Sequence, residues 1–142
     1  MTYASIILLA AQLAKVNGTL LLAICSTETN LTNVTVYHDG KSPSYGICQV
    51  KYETAQMVGF KGKAQDLINP KTNAKMAAKY LRFQEKRYGD DWCKLVASFN
   101  AGTYNESKKY PGKPRNLKYV RKVQKRLPEE FRARLSCEKE TK

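Results

Sequence analysis

The stretch Leu20-Leu21-Leu22-Ala23-Ile24-Cys25 has no polar residue on any side of a helical wheel, and an acid, Glu28, follows it after Ser26-Thr27. A helix that is apolar all round is stable only where protein surrounds it. The chain must therefore fold as a body with this helix in its interior. At 142 residues it is long enough for one domain with a sizeable core and too short for two of ordinary size. Glu28 stands at the last turn of the buried helix. There it meets the negative end of the helix dipole and poor solvation, both of which disfavour the carboxylate and are expected to raise its pKa. An acid still protonated near neutral pH is what breaking a glycosidic bond requires. The ordinary alternative is a surface glutamate near a helix end.

The rest of the chain reads as mostly helical. Ile6, Leu9, Ala10 and Leu13 fall on one face of a first helix, which Asn17-Gly18 is expected to close. No positively charged segment precedes this stretch, and Gln12, Lys15 and Asn17 interrupt it early. It is too short to span a bilayer and a poor secretory leader. Residues 30–44 are polar and turn-rich, with β-branched content between Thr32 and Tyr37 that predicts a short strand. A helix is expected near Tyr52, and Asn69-Pro70 marks the start of a long one. Along it Ala74, Ala77, Ala78, Leu81 and Tyr88 form an apolar stripe, with Lys71, Lys75, Lys79, Arg82 and Lys86 away from it. Gly89-Asp90-Asp91 ends that helix and caps the next, whose core face is Trp92, Leu95, Val96 and Phe99. Tyr119, Val120, Val123 and Leu127 stripe a final helix, and Pro128 opens a last turn. The expectation is a mainly α single domain over residues 1–142, with at most a small strand and loop region near 32–50 and a flexible tail over 137–142.

Four short motifs stand in order: Glu28-Thr29, Gly46-Ile47-Cys48-Gln49, Ser98-Phe99-Asn100-Ala101-Gly102 and Tyr119-Val120. Together they resemble the soluble lytic transglycosylase domain, a branch of the lysozyme superfamily. That family shows E-S, G-L-M-Q, A-Y-N-A-G and a Tyr-Val pair. Any one motif is weak; the ordered set, reaching over most of the chain, is specific. The resemblance implies a lysozyme-like α+β fold with a groove. It also implies cleavage of the β-1,4 bond between N-acetylmuramic acid and N-acetylglucosamine in peptidoglycan glycan strands, with no cofactor and no metal. Glu28 would act as acid and then base. Gln49 would hydrogen-bond substrate near the acid, with Ser44 on the same sugar and Gly46 letting the backbone approach the groove. Asn100 and Ala101 would form the floor under an N-acetyl sugar, and Tyr119 would orient the acid. Phe99 stands where the family has Tyr, Cys48 replaces its Met, and Lys51-Tyr52 replace the following Met-Pro, so the groove wall differs.

Hydrolytic glycosidases need a second carboxylate about 5–9.5 Å from the acid. Asp39, Glu53 and Asp66 are the candidates. Asp39, in His38-Asp39-Gly40, holds a position similar to that in goose-type lysozymes, although Asp-Gly is also an ordinary turn. A hydrolytic muramidase that uses Asp39 to activate water is therefore the alternative on the same fold. His38 is the only histidine, and no G-x-S-x-G or cysteine motif supplies a nucleophile for it.

The net charge of +13 lies entirely in residues 61–142, which hold 22 basic and 9 acidic residues. Between Lys108 and Arg126 nine basic residues stand without an acid. Such a face attracts a polyanion, whether nucleic acid, anionic lipid or an anionic cell wall, and the expectation is an anionic cell envelope; the ordinary alternative is a basic surface that only keeps the protein soluble. A non-catalytic basic module that binds wall or nucleic acid is the alternative of another class. The chain has no zinc-finger spacing, RNP-like aromatic motif or heptad-backed basic region, so no specific nucleic acid is expected. Tyr104, Tyr110 and Tyr119 interleave with these charges and could stack on sugar rings. Cys25, Cys48, Cys93 and Cys137 include no C-x-x-C, which argues against zinc; Cys25 and Cys48 each stand beside a motif and could come close across the cleft, but the expectation is four buried thiols. With no leader recognised, the chain is expected to be a monomeric phage lysin or virion component, or else an excised domain. It would be made in a host cytoplasm and act on the periplasmic or extracellular wall.

Overall fold

A computed structural model describes residues 1–37 and 40–138. His38 and Asp39 lie outside the described residues, and with them the candidate second carboxylate; so do residues 139–142. The chain divides into two compact units, Met1–Phe83 and Gln84–Lys142.

The first unit holds α1 (Tyr3–Ala14), α2 (Gly18–Thr29), β1 (Thr35–Val36), β2 (Ser44–Tyr45), β3 (Val50–Lys51), α3 (Tyr52–Met57) and a 3-10 turn (Ala64–Ile68). It also takes most of α4 (Pro70–Tyr88). The sheet is antiparallel in the order β1-β2-β3, with Val36 opposite Ser44 and Tyr45 opposite Val50. As expected, the fold is mainly helical and its strands are confined to the region after Glu28. Of the apolar run in α2, Leu20, Leu21, Ala23, Ile24 and Cys25 are buried and Leu22 is half-buried, so nearly the whole circumference is enclosed. They join Ile7, Ile47, Leu67 and Leu81 in the core. Asn69 starts α4 by accepting from the backbone N–H groups of Lys71 and Thr72, with Pro70 as first helical residue.

Two readings of α1 are corrected. Asn17 does not close α1 but opens α2, accepting from the Leu20 N–H at 2.9 Å, and α1 ends at Lys15 in the left-handed conformation. The buried side of α1 is Ile7, Ala10 and Ala11, whereas Leu9 is 43% and Leu13 77% exposed. At the start of α2 Gly18 admits the Leu8 side chain closely: a Cβ placed there would lie 3.0 Å from it and 3.6 Å from the Ala11 Cβ. The buried face is thus rotated from the one periodicity named: Ile7 and Ala11 are fully enclosed, while Leu9 and Leu13 face outward.

The second unit holds the end of α4, α5 (Trp92–Ala101), α6 (Leu117–Arg126) and α7 (Glu129–Arg132). Asp91 caps α5 by accepting from the Lys94 N–H. Trp92, Leu95 and Val96 are buried as expected, together with Val120, Val123, Leu127 and Leu135. Phe131 stacks parallel to Trp92, and the Arg134 guanidinium lies 4.2 Å from the Trp92 ring while pairing with Asp90.

The four cysteines are not thiols. Cys25 bonds to Cys48 and Cys93 to Cys137, with Cα separations of 4.3 and 5.2 Å. Folding brings together residues 23 and 44 apart in sequence, which spacing alone could not reveal. Cys137, placed in the tail by sequence, is thereby anchored to α5. Removing the second bridge in Cys93→Ser/Cys137→Ser is expected to lower unfolding stability by about 2–4 kcal/mol, read as a lower urea midpoint.

Candidate functional site

In the first unit the site is built on the end of α2. Glu28 is half-buried one residue before the helix stops. Asn30 and Leu31 then both take positive φ, 54° and 56°, and turn the chain sharply away. Asn tolerates this conformation and is a common helix terminator. Leucine rarely adopts it, so Leu31 carries backbone strain of order 1–3 kcal/mol. Thr29 fastens the turn: its hydroxyl donates to the Ile47 carbonyl at 2.8 Å and accepts from the Thr32 N–H. The Cys25–Cys48 bridge makes a second link from α2 to the same loop.

That loop, residues 46–49, joins β2 to β3. Gly46 has φ +76°, and a Cβ there would lie 2.5 Å from Asn73 Nδ2 and 2.9 Å from the Leu67 carbonyl oxygen. Glycine is thus required by an internal neighbour. Asn73, fully buried, accepts from the Cys48 N–H at 2.8 Å. Its amide nitrogen donates to the carbonyls of Tyr45 (2.7 Å) and Leu67 (2.8 Å). Gln49 also has positive φ, and its Nε2 donates to the Val34 and Gly46 carbonyls, both at 3.0 Å. With the amide nitrogen held inside the loop, Oε1 is the end able to accept from an N–H or O–H of a sugar. Ser44, on the central strand, is only 1% exposed. Glu28, Thr29 and Gln49 are therefore held by one fastened segment, with Ser44 and Gly46 enclosed behind it.

In the second unit Asn100, Ala101 and Gly102 form the end of α5, with Gly102 at φ +87° as its terminator. Gln84, fully buried, donates to the Gly102 carbonyl at 2.9 Å, and Arg87 donates to the same oxygen at 2.7 Å and to the Thr103 hydroxyl. Asn100 is exposed, and its Oδ1 accepts from Asn116 Nδ2 at 2.9 Å. Asn116 donates to the Ala97 carbonyl too and directly precedes α6, which carries the half-buried Tyr119. Asn116 thus couples Asn100 to the helix of Tyr119, leaving the Asn100 NH2 group oriented as a donor. Tyr104 is engaged internally: its ring lies edge-on to Tyr88 with Lys94 over it, and its N–H donates to the Tyr88 hydroxyl. Burial, with Glu106 and Asp91 opposing the anion, pushes its phenol above the ordinary value.

Asn73, Gln84 and Asn116 were not singled out from sequence. The only available signal was an amide interrupting an apolar or cap position, and many exposed asparagines give the same signal. Among the described residues no three His, Cys, Asp or Glu side chains group to hold a metal.

The family model described as the transglycosylase SLT domain matches residues 5–120. The fold is similar to an inactive mutant of the lytic transglycosylase Slt from Pseudomonas aeruginosa, with a TM-score of 0.62 and 16% identity over 92% of this chain. It is similar also to the 70 kDa soluble lytic transglycosylase SLT70 from Escherichia coli, with a TM-score of 0.55 and 18% identity over 86% of this chain. This chain spans only 22% and 20% of those two proteins. No curated protein matches it by sequence.

Asn73→Leu should orphan three backbone groups and destabilise the fold by roughly 1–3 kcal/mol for each group left unpaired. Gly46→Ala should be destabilising as well, through both its φ and the Asn73 clash. Equal melting temperatures for wild type and Asn73→Leu would contradict this account of the loop.

Proposed function

The chain belongs to the transglycosylase SLT domain family, and from that premise we propose that it is a peptidoglycan lytic transglycosylase with Glu28 as its single catalytic acid and base. The observation that carries the reading is the fastening of Glu28's helix turn to the Gln49 loop by Thr29–Ile47 and Cys25–Cys48. The family match runs through both compact units, which supports treating them as one domain.

In the proposed reaction Glu28 protonates the oxygen linking N-acetylmuramic acid to N-acetylglucosamine, and that bond breaks. The muramic N-acetyl oxygen attacks C1 and holds the positive charge. Glu28, now a carboxylate, takes the proton from the C6 hydroxyl, whose oxygen displaces the acetamido oxygen and closes a 1,6-anhydro ring. No water is consumed. The partial negative charge at the C-terminus of α2 opposes a second negative charge on Glu28, which supports an acid poised to give its proton away. Gln49 through Oε1 and Asn100 through its NH2 group are proposed to bind sugar. Tyr119 is proposed to orient the acid. Ser44, Gly46 and Ala101 shape the backbone around them.

The exposed cations of α6, Lys118, Arg121, Lys122, Lys125 and Arg126, support attraction to an anionic envelope. The proposed setting is the wall outside the cytoplasm, as a phage lysin or virion component. Two disulfides, which persist in oxidising compartments, support the extracytoplasmic part of that setting.

Glu28→Gln should keep the melting temperature and lose muropeptide release by about 10²–10⁴-fold; unchanged release would remove the assignment. Mass spectrometry of a peptidoglycan digest should give products lighter than hydrolytic ones by one water and without a reducible end. Reducing ends would instead mean a muramidase, with Asp39 as the carboxylate to replace next.

A further inference from the structure

The outward side of α1 is an apolar strip bounded by charge of one sign. Leu9 and Leu13, 43% and 77% exposed, line with Ile6 a groove of about 380 Å3. Its other wall is Lys71, Lys75 and Lys79 of α4. At spacings of four residues these lysines fall in a row along the helix, and all three are exposed. Neither α1 nor residues 70–84 contain an acid, and Glu85, the one acid of α4, stands six residues beyond Lys79. Lysine stems lie along apolar surface while the ammonium groups stay at the polar boundary.

The lining selects among occupants. A second copy would bring the same lysine row and a net charge of +13 against this one, and the two would repel. A glycan strand would leave Leu9 and Leu13 facing hydroxyls. A partner peptide needs directional groups to fix its register, and the side chains lining the groove are aliphatic or lysine, with no amide, hydroxyl or carboxylate among them. Acyl chains beneath anionic headgroups need no directional partner and match both the apolar strip and its cationic rim.

We propose that α1 and the lysine row of α4 form an interfacial docking surface for an anionic lipid bilayer. Leu9 and Leu13 enter among the acyl chains, and Lys71, Lys75 and Lys79 meet the phosphates. No helix among the described residues is long and apolar enough to cross a membrane, so α1 lies in the interface plane. None of the groove residues is a candidate catalytic residue, so the surface stands or falls independently of the reaction proposed above.

The test sediments the full chain with phosphatidylglycerol–phosphatidylethanolamine vesicles or with phosphatidylcholine vesicles. Ionic strength is about 0.15 M, where charge interactions reach only ~8 Å. Wild type should bind the anionic vesicles. L9S/L13S, which keeps the net charge and alters only exposed side chains, should bind them at least tenfold more weakly with unchanged muropeptide release. K71A/K75A/K79A should lose at least tenfold, and K118A/R121A/K122A, equal in charge removed, distinctly less. Equal binding by wild type and L9S/L13S would reduce the attraction to net charge and overturn the proposal. Absence of vesicle binding would overturn it too. So would a dimer that L9S/L13S abolishes, since the face would then belong to a second copy.

Discussion

The attachment of α2's last turn to the loop between β2 and β3 is the constraint on which the first unit depends. A helix end is free to fray, because its last carbonyls lack intrahelical partners. Here the fraying end would be the turn that carries Glu28. Thr29 donates across to Ile47, and the Cys25–Cys48 bridge ties the preceding turn to the same loop. The loop is in turn held from behind by Asn73, which supplies one acceptor and two donors to backbone groups that would otherwise be buried unpaired. Position is therefore passed from α4 through Asn73 to the loop, and from the loop to the acid-bearing turn.

The second unit uses the same device. Gln84 and Arg87 bond the Gly102 carbonyl at the end of α5, and Asn116 bridges Ala97 and Asn100. In both units a side-chain amide brackets irregular backbone next to a candidate binding residue. Side-chain amides suit this work because they donate and accept at once without carrying a charge into the interior. Of the four non-glycine residues at positive φ among the described residues, Asn30, Leu31 and Gln49 sit near this bracketed loop, whereas Lys15 ends α1.

Much of this was legible in the residues. The all-apolar run predicted an interior helix, Asn69-Pro70 and Asp91 marked helix starts, and the apolar stripes of α5 and α6 named their buried faces. The motif order indicated the family. What escaped has a common physical cause: it depends on pairing between residues distant in sequence. Asn73 reads as one more polar residue of a helix until Gly46 is seen pressed against it. The cysteines read as thiols until the fold brings their Cα atoms together. The leucines of α1 read as core by periodicity, yet the face that α1 buries carries Ile7, Ala10 and Ala11, and Leu9 and Leu13 point outward. Asp39 lies outside the described residues, and its part in the chemistry rests on sequence alone.

The order of the disulfides has a consequence for how the molecule is made. Four cysteines can pair in three ways, and here the first joins the second and the third joins the fourth. A chain threaded N-terminus first into an oxidising space would present Cys25 and Cys48 together before either later thiol had emerged. The native connectivity is thus the one that emergence in chain order favours.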